Sequence, residues 1–155
     1  MFSEQSKMQF IYFPAVIVTL ILLFSACIPT FRYNDPNKAL NIALKFSDEA
    51  FTKRNYSQAL SFVTSDTVFD DSKLGELIAS MHPSGIYPKE MKAEAYEVLP
   101  GTNNIRIYLY GLTDNQEKYY YCIVTKQEGN NYKVKEIYRN KDNSPYPKMP
   151  LTKSF

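Results

Sequence analysis

The sequence is poor in the residues that build metal and phosphate sites. Its 155 residues include one histidine, two cysteines and five glycines. A structural zinc site takes about four Cys or His ligands, so a zinc module is excluded. The chain also contains no glycine-rich phosphate loop and no Gly-x-Ser-x-Gly nucleophile turn. We therefore predict that the protein holds no metal and no cofactor.

An excess of charge of one sign is missing as well. Eighteen Lys and Arg stand against sixteen Asp and Glu, which gives a formal net charge of +2. Proteins that bind nucleic acid through bulk basicity need more positive charge than this, so we predict no nucleic-acid partner. The content of 45% hydrophobic and 22% charged residues is typical of a globular chain, and the length suits one domain.

A long apolar run is present near the start of the chain. Residues 10–26 carry no charge, follow Lys7 and end in the small residues Ser25 and Ala26, directly before Cys27. The run is short for a helix that spans a bilayer. A basic start, an apolar run and small residues at its end are typical of a secretory signal peptide. The alternative is an uncleaved signal anchor.

The segment Leu23-Phe24-Ser25-Ala26-Cys27 resembles a bacterial lipobox. That pattern prefers leucine at the position of Phe24. The resemblance implies that 1–26 is a signal peptide and that Cys27 is lipidated, with 27–35 as lipidated cysteine and spacer. The implied location is the bacterial cell envelope, extracytoplasmic and lipid-anchored. The outer membrane is favoured where two membranes exist, because Ile28, and not an acidic residue, directly follows Cys27.

Helix signals occupy the next part of the chain. Asp35-Pro36 offers an N-cap acceptor and a proline at the first helical position. Apolar residues then recur at intervals of three and four, which predicts a first helix that ends near Asn55. Similar patterns predict a second helix over 56–64 and a third over 71–81. The sequence His82-Pro83-Ser84-Gly85 ends the third helix, and we expect His82 to stand alone in that loop.

From Met91 onward the apolar period changes to two. This alternation predicts strands over 91–99, 105–110, 119–125 and 132–139, and the short turns between them imply antiparallel pairing. The order of elements predicts an α+β fold over 36–139, with N-terminal helices packed on a curved antiparallel sheet of about four strands. Residues 140–155, with Pro145, Pro147 and Pro150, are predicted to form an extended tail.

The segment Lys53-Arg54-Asn55-Tyr56-Ser57-Gln58-Ala59-Leu60 and the helices-then-strands order resemble the nuclear transport factor 2-like (cystatin-like) superfamily. More narrowly, they resemble small bacterial lipoproteins that carry such a domain. The resemblance covers residues 36–139 and implies a cystatin-like roll with a conical pocket between the first helix and the concave sheet face. Some members are enzymes with Asp, His and Tyr in that pocket, and others bind, dimerise or act as adaptors. This chain has no Asp–His pair at matching spacing, so no catalytic residue is carried over.

The last hairpin supplies the pocket candidates Tyr119, Tyr121, Glu136 and Tyr138. With a two-residue loop and a continuous register, Glu136 faces inward among these tyrosines. A carboxylate desolvated there would have a raised pKa and could serve as a base, with a tyrosine as donor. The alternative is a β-bulge near Lys135, which turns Glu136 outward.

The favoured functional hypothesis is a membrane-tethered, extracytoplasmic binding or adaptor domain without enzymatic activity. It would present a pocket or an aromatic sheet face to an envelope protein or a small ligand, because tyrosines are predicted on both sheet faces. One alternative is a small-molecule enzyme of isomerase or dehydratase type that uses Glu136 and a pocket tyrosine. The second alternative is a structural domain that forms homodimers.

The lipidation hypothesis predicts a specific mass. Protein purified from its own membrane fraction should have the mass of residues 27–155 plus acyl chains, because cleavage and acylation both occur at Cys27. Intact-mass spectrometry checks this, with Cys27→Ser as the control that should lose the acyl mass. A full-length unmodified mass would instead make residues 10–26 a retained anchor.

Overall fold

The computed structural model describes residues 34–67 and 69–139, together with the backbone of 153–154. The chain divides into two units, residues 1–33 and residues 34–155. The predicted signal segment and Cys27 lie outside the described residues, as does most of the predicted tail. No helix of the described part is long and apolar enough to cross a membrane.

Within the described residues 34–67 and 69–139, three helices precede the sheet: α1 (Pro36–Ser47), α2 (Tyr56–Leu60) and α3 (Asp71–Met81), with a π-helical segment, Asp48–Thr52, after α1. Asp35 caps α1 as predicted, because its Oδ1 accepts hydrogen bonds from the backbone N–H groups of Asn37 and Lys38. In the π-helical segment the N–H of Lys53 donates to the carbonyl of Asp48, 2.9 Å away.

The bounds of the third helix agree with the prediction, whereas those of the second do not. α3 has the predicted bounds, and its cap is Asp70, whose Oδ1 accepts from the N–H of Lys73 at 2.8 Å. α2 ends earlier than the predicted Thr64. The chain after it bends to pair with the last long strand: Thr64 donates its N–H to the carbonyl of Val134, and Val134 donates to the carbonyl of Phe62. These two hydrogen bonds replace the helical ones that an extended α2 would make.

The sheet contains four long antiparallel strands and one short strand. They are β1 (Glu90–Val98), β2 (Asn104–Leu112), β3 (Lys118–Glu128), β4 (Asn131–Arg139) and β5 (Lys153–Ser154). Their order across the sheet is β4-β3-β2-β1-β5, so β4 and β5 occupy opposite edges. The predicted α+β fold, with N-terminal helices on an antiparallel sheet, is confirmed. The short β5 lies in the predicted tail and pairs with β1.

The main core lies between α1 and one face of the sheet, here called the inner face. Alternate strand residues point into it, and Ile105, Ile107, Leu109, Tyr121 and Ile123 are all fully buried. Opposite them lie fully buried residues of α1 and the π-helical segment: Ala39, Ala43, Phe46, Ala50 and Phe51.

Gly111 in β2 packs closely against Pro88 and Met91. A Cβ added there would lie 2.5 Å from Cβ of Pro88 and 2.9 Å from Sδ of Met91. We expect Gly111→Ala to lower the free energy of unfolding by about 1–3 kcal/mol, because the backbone around Pro88 must move. Chemical denaturation measures this, and Gly111→Ala in a Pro88→Gly background is the control, because that background has no Cβ or Cγ at residue 88 for the added methyl group to meet. A loss that is no smaller in the Pro88→Gly background would contradict the steric argument.

Candidate functional site

The four pocket candidates lie on two different faces of the sheet. The last hairpin pairs Thr125 with Val134 and then Val124 with Glu136, so Lys135 is an extra residue in β4. Of the two registers that the sequence left open, the structure therefore has the bulge. The continuous register, in which Glu136 faces inward among the tyrosines, is not formed. Glu136 and Tyr138 lie on the outer face, opposite to the face that packs against α1.

Glu136 and Tyr138 interact with each other on that outer face. The hydroxyl of Tyr138 donates a hydrogen bond to Oε2 of Glu136, and Nζ of Lys135 lies 3.0 Å from Oε1. The hydrogen bond from Tyr138 and, next, the one from Lys135 lower the pKa of Glu136 below its ordinary value. Tyr138 is 49% exposed, and its pKa is raised by the same hydrogen bond. Glu136 is therefore ionised and a weak base near neutral pH.

The inner pair, Tyr119 and Tyr121, belongs to an aromatic cluster that includes His82. His82 ends α3 as predicted, but it does not stand alone. Its Nδ1 lies 2.8 Å from the carbonyl of Ile78, and its Nε2 lies 2.7 Å from the hydroxyl of Tyr121. Because a carbonyl only accepts, Nδ1 carries the proton and Nε2 accepts from Tyr121. Both ring nitrogens are satisfied in the neutral form.

The surroundings of His82 favour that neutral form. The side chain is only 2% exposed and contacts the rings of Phe51, Tyr87 and Tyr119. Burial lowers the pKa of His82 from its ordinary value, the hydrogen bond to the Ile78 carbonyl opposes this, and Arg139 lowers it further. Burial also raises the pKa of Tyr121 well above its usual range. The cluster resembles a packed core with one polar pair more than a site open to substrate.

Arg139 connects this cluster to the end of the sheet. Its guanidinium carbon lies 4.1 Å from the ring centre of Tyr119, a cation–π distance. Its Nη1 also donates a hydrogen bond to the carbonyl of Met81 in the last turn of α3. The end of α3 is therefore held to the sheet by both His82 and Arg139.

A groove runs between α3 and β4, and we name it the α3–β4 groove. It consists of two adjoining cavities of about 260 and 500 Å³ that share Leu77, Ile137 and Tyr138. Val63, Phe69 and Glu136 also line the smaller cavity, while Ser80, Ser84 and Arg139 line the larger one. The groove has an apolar floor with hydroxyl and charged groups around it, which is the usual composition of a binding site.

Sequence reasoning found two of the groove residues, Glu136 and Tyr138, but for a different pocket. It missed Leu77 of α3 and Ile137 of β4 as site residues, because the apolar spacing of each element indicates only that these side chains are buried against other elements. The larger cavity falls within the volume range of small-ligand pockets, about 300–1,000 Å³.

Neither the free cysteine nor the acidic side chains add a second candidate site. Cys122 is a free cysteine, and burial raises its pKa to about 12, so its thiol is protonated near neutral pH. Within residues 34–67 and 69–139, no three His, Cys, Asp or Glu side chains gather in a way that could hold a metal ion.

The fold and the groove define an α+β domain with a surface cleft between α3 and β4. No known protein family matches this sequence, and neither a curated protein nor a solved structure matches it.

The buried His82 predicts an acid-dependent loss of stability. Its pKa is lower in the folded state than in the unfolded chain, so the unfolded chain takes up a proton first as the pH falls. The stability from neutral His82 is therefore fully present above a pH of about 6.5 and is lost below it. We expect His82→Gln to remove this component, seen as a flatter pH dependence of the free energy of unfolding.

The measurement is chemical denaturation between pH 5 and 7.5, with Tyr121→Phe as the matched control. That variant loses the hydrogen bond to Nε2 but keeps the titrating imidazole, so its pH dependence should remain. Equal slopes for His82→Gln and the unmodified protein would contradict the prediction.

Proposed function

We propose that this chain is a membrane-tethered, extracytoplasmic binding domain without enzymatic activity, and that it holds an extended segment of an envelope protein in the α3–β4 groove. The observation that carries the proposal is the position of this groove beside β4, the end strand of the sheet. The tether is Cys27, for which the lipobox-like segment 23–27 is the support. The proposed location is the bacterial cell envelope, in the outer membrane where two membranes exist.

The edge position of β4 favours a peptide over a compact ligand. Among the described residues, the edge of β4 that faces away from β3 pairs only at Val134, with Val63. The edge of the sheet at residues 135–139 therefore borders the groove. An edge strand offers backbone N–H and carbonyl groups to an added strand, and nearby pockets select its alternate side chains.

The composition of the groove agrees with such a partner. Leu77 and Ile137 are half-buried in both cavities and give an apolar floor for side chains of the added segment. Lys135, Glu136 and Arg139 carry charges of both signs at its rim, and rim charges set orientation and register more than affinity. A binding domain of this kind also agrees with the resemblance to the nuclear transport factor 2-like superfamily, whose members include adaptors.

The enzyme hypothesis has less support. A general base works best with a pKa close to the working pH, whereas the pKa of Glu136 is lowered by Tyr138 and Lys135. His82 and Tyr121 are buried and already hydrogen-bonded to each other. We therefore base the proposal on binding alone.

Site-specific photo-crosslinking tests the groove. A benzophenone amino acid replaces Leu77, which faces the groove, or Glu76, the exposed neighbouring residue in the same helix. In intact membranes we expect a discrete protein adduct at Leu77 and little or none at Glu76, because only the former contacts a bound segment. Tyr138→Ala should weaken the Leu77 adduct, since this half-exposed ring lines both cavities.

Other outcomes contradict the proposal in identifiable ways. A homodimeric adduct supports the dimerisation alternative, and a low-mass adduct indicates a small ligand. Equal labelling at Leu77 and Glu76 argues against any partner in the groove. Thermal unfolding of each substituted protein, followed by circular dichroism, shows whether the fold is retained.

A further inference from the structure

The outer face of the sheet contains a row of buried side chains. Ala95, Tyr108 and Cys122 are only 0%, 5% and 4% exposed, and they form a cluster separate from the main core. They are direct cross-strand neighbours, since Tyr108 pairs with both Ala95 and Cys122. The row continues to Tyr138, which pairs with Cys122 in β4.

No described helix explains this burial. Buried residues of α1, α2 and α3 all belong to the core on the inner face. A tyrosine on an uncovered sheet face keeps the top of its ring in water, because neighbours in the same sheet shield only its sides. Tyr108 is nevertheless almost fully buried, so a further layer must cover the row.

The path of the chain indicates what that layer is. β4 ends at Arg139 on one edge of the sheet, and β5 pairs with β1 at the opposite edge. Ser154 of β5 is the partner of Ala95, which is the first residue of the buried row. The two described ends that the segment 140–152 connects therefore lie beside Tyr138 at one end of the row and beside Ala95 at the other.

The length and composition of the segment fit this path. Its thirteen residues can reach about 45 Å when extended, whereas the four strand spacings to be crossed measure about 19 Å. The inner face is filled by α1 and the π-helical segment, which leaves the outer face as the open route. Pro145, Pro147 and Pro150 favour an extended chain, and Tyr146, Met149 and Leu151 supply apolar contacts.

We infer that the outer face is a docking surface for residues 140–152 of this same chain, which cross the row Ala95, Tyr108 and Cys122. This segment then competes with any outside partner for the aromatic outer face. A partner of the domain is thereby directed to other surfaces. The inference stands whether or not the α3–β4 groove binds a peptide.

Cys122 provides a direct test, because it lies at the centre of the row. The experiment uses the full chain with Cys27→Ser, and single cysteines replace Tyr146, Pro147 or Met149. Under mild oxidation we expect at least one of them to form a disulfide with Cys122, which requires Cα atoms about 4.4–6.8 Å apart. Ser80→Cys, in the α3–β4 groove on the other side of β4, is the matched control and should form none.

A truncation gives an independent measurement. A chain that stops after Arg139 should show alkylation of Cys122 by iodoacetamide that is about tenfold faster or more, because the thiol loses its cover. If this chain fails to fold, the disulfide measurement decides alone.

Three results would overturn the inference. The first is a set of folded tail variants in which no cysteine pairs with Cys122. The second is a disulfide between Cys122 and a cysteine placed at Phe31, formed in preference to the tail positions, which would assign the cover to residues before 34. The third is alkylation of Cys122 that slows as protein concentration rises, which would indicate a second copy.

Discussion

Lys135 adds one residue to β4 opposite Val124, and the direction of every later side chain in that strand follows from it. Without the extra residue, Glu136 would face the apolar inner side, where an unpaired carboxylate costs several kcal/mol in order of magnitude. With it, Ile137 turns to the core side and Glu136 reaches water, Lys135 and Tyr138. The bulge thus removes a buried charge and supplies an apolar residue at the same point of the fold.

The bulge also sets the positions of the side chains at the end of β4. Arg139 comes to pair with Tyr121 and lies over Tyr119, from where it reaches the carbonyl of Met81. His82 adds a second polar link between α3 and the sheet through Tyr121. Satisfied polar pairs of this kind gain little net free energy, but their loss leaves buried groups without partners. They fix the position of α3, and therefore the width of the α3–β4 groove.

Local signals in the sequence predicted the elements well. The caps Asp35 and Asp70 fixed the starts of α1 and α3, because a cap acts within three residues of the chain. Strand alternation placed Ile107, Leu109 and Tyr121 on one face, as the structure has them. All of these depend on neighbours in sequence.

The features that sequence reasoning missed depend on contacts between residues that are far apart in sequence. The chain does not continue α2 to Thr64 because Val134 of a distant strand bonds to the N–H of Thr64 and to the carbonyl of Phe62. The cost of an unpaired buried carboxylate favours the bulge already at the level of sequence, and the structure has it, but both registers preserve an alternating pattern up to Val134, so no local pattern places it. The contact between His82 and Tyr121 spans 39 residues, and no local pattern records it. The groove itself is the gap between two elements, so no residue type identifies it.

The π-helical segment changes the direction in which Phe51 points relative to the apolar stripe of α1. An α-helix turns about 100° per residue, so a regular helix continued through Thr52 would carry Phe51 away from the stripe of Ala39, Ala43 and Phe46. The wider turn of Asp48–Thr52 rotates less per residue and returns Phe51 to that stripe, 4.6 Å from the ring of Tyr121. A single-residue deletion in this segment would restore regular helical bonding yet rotate all that follows it. The π-helical segment therefore adjusts the rotational position of Phe51 relative to the apolar stripe of α1.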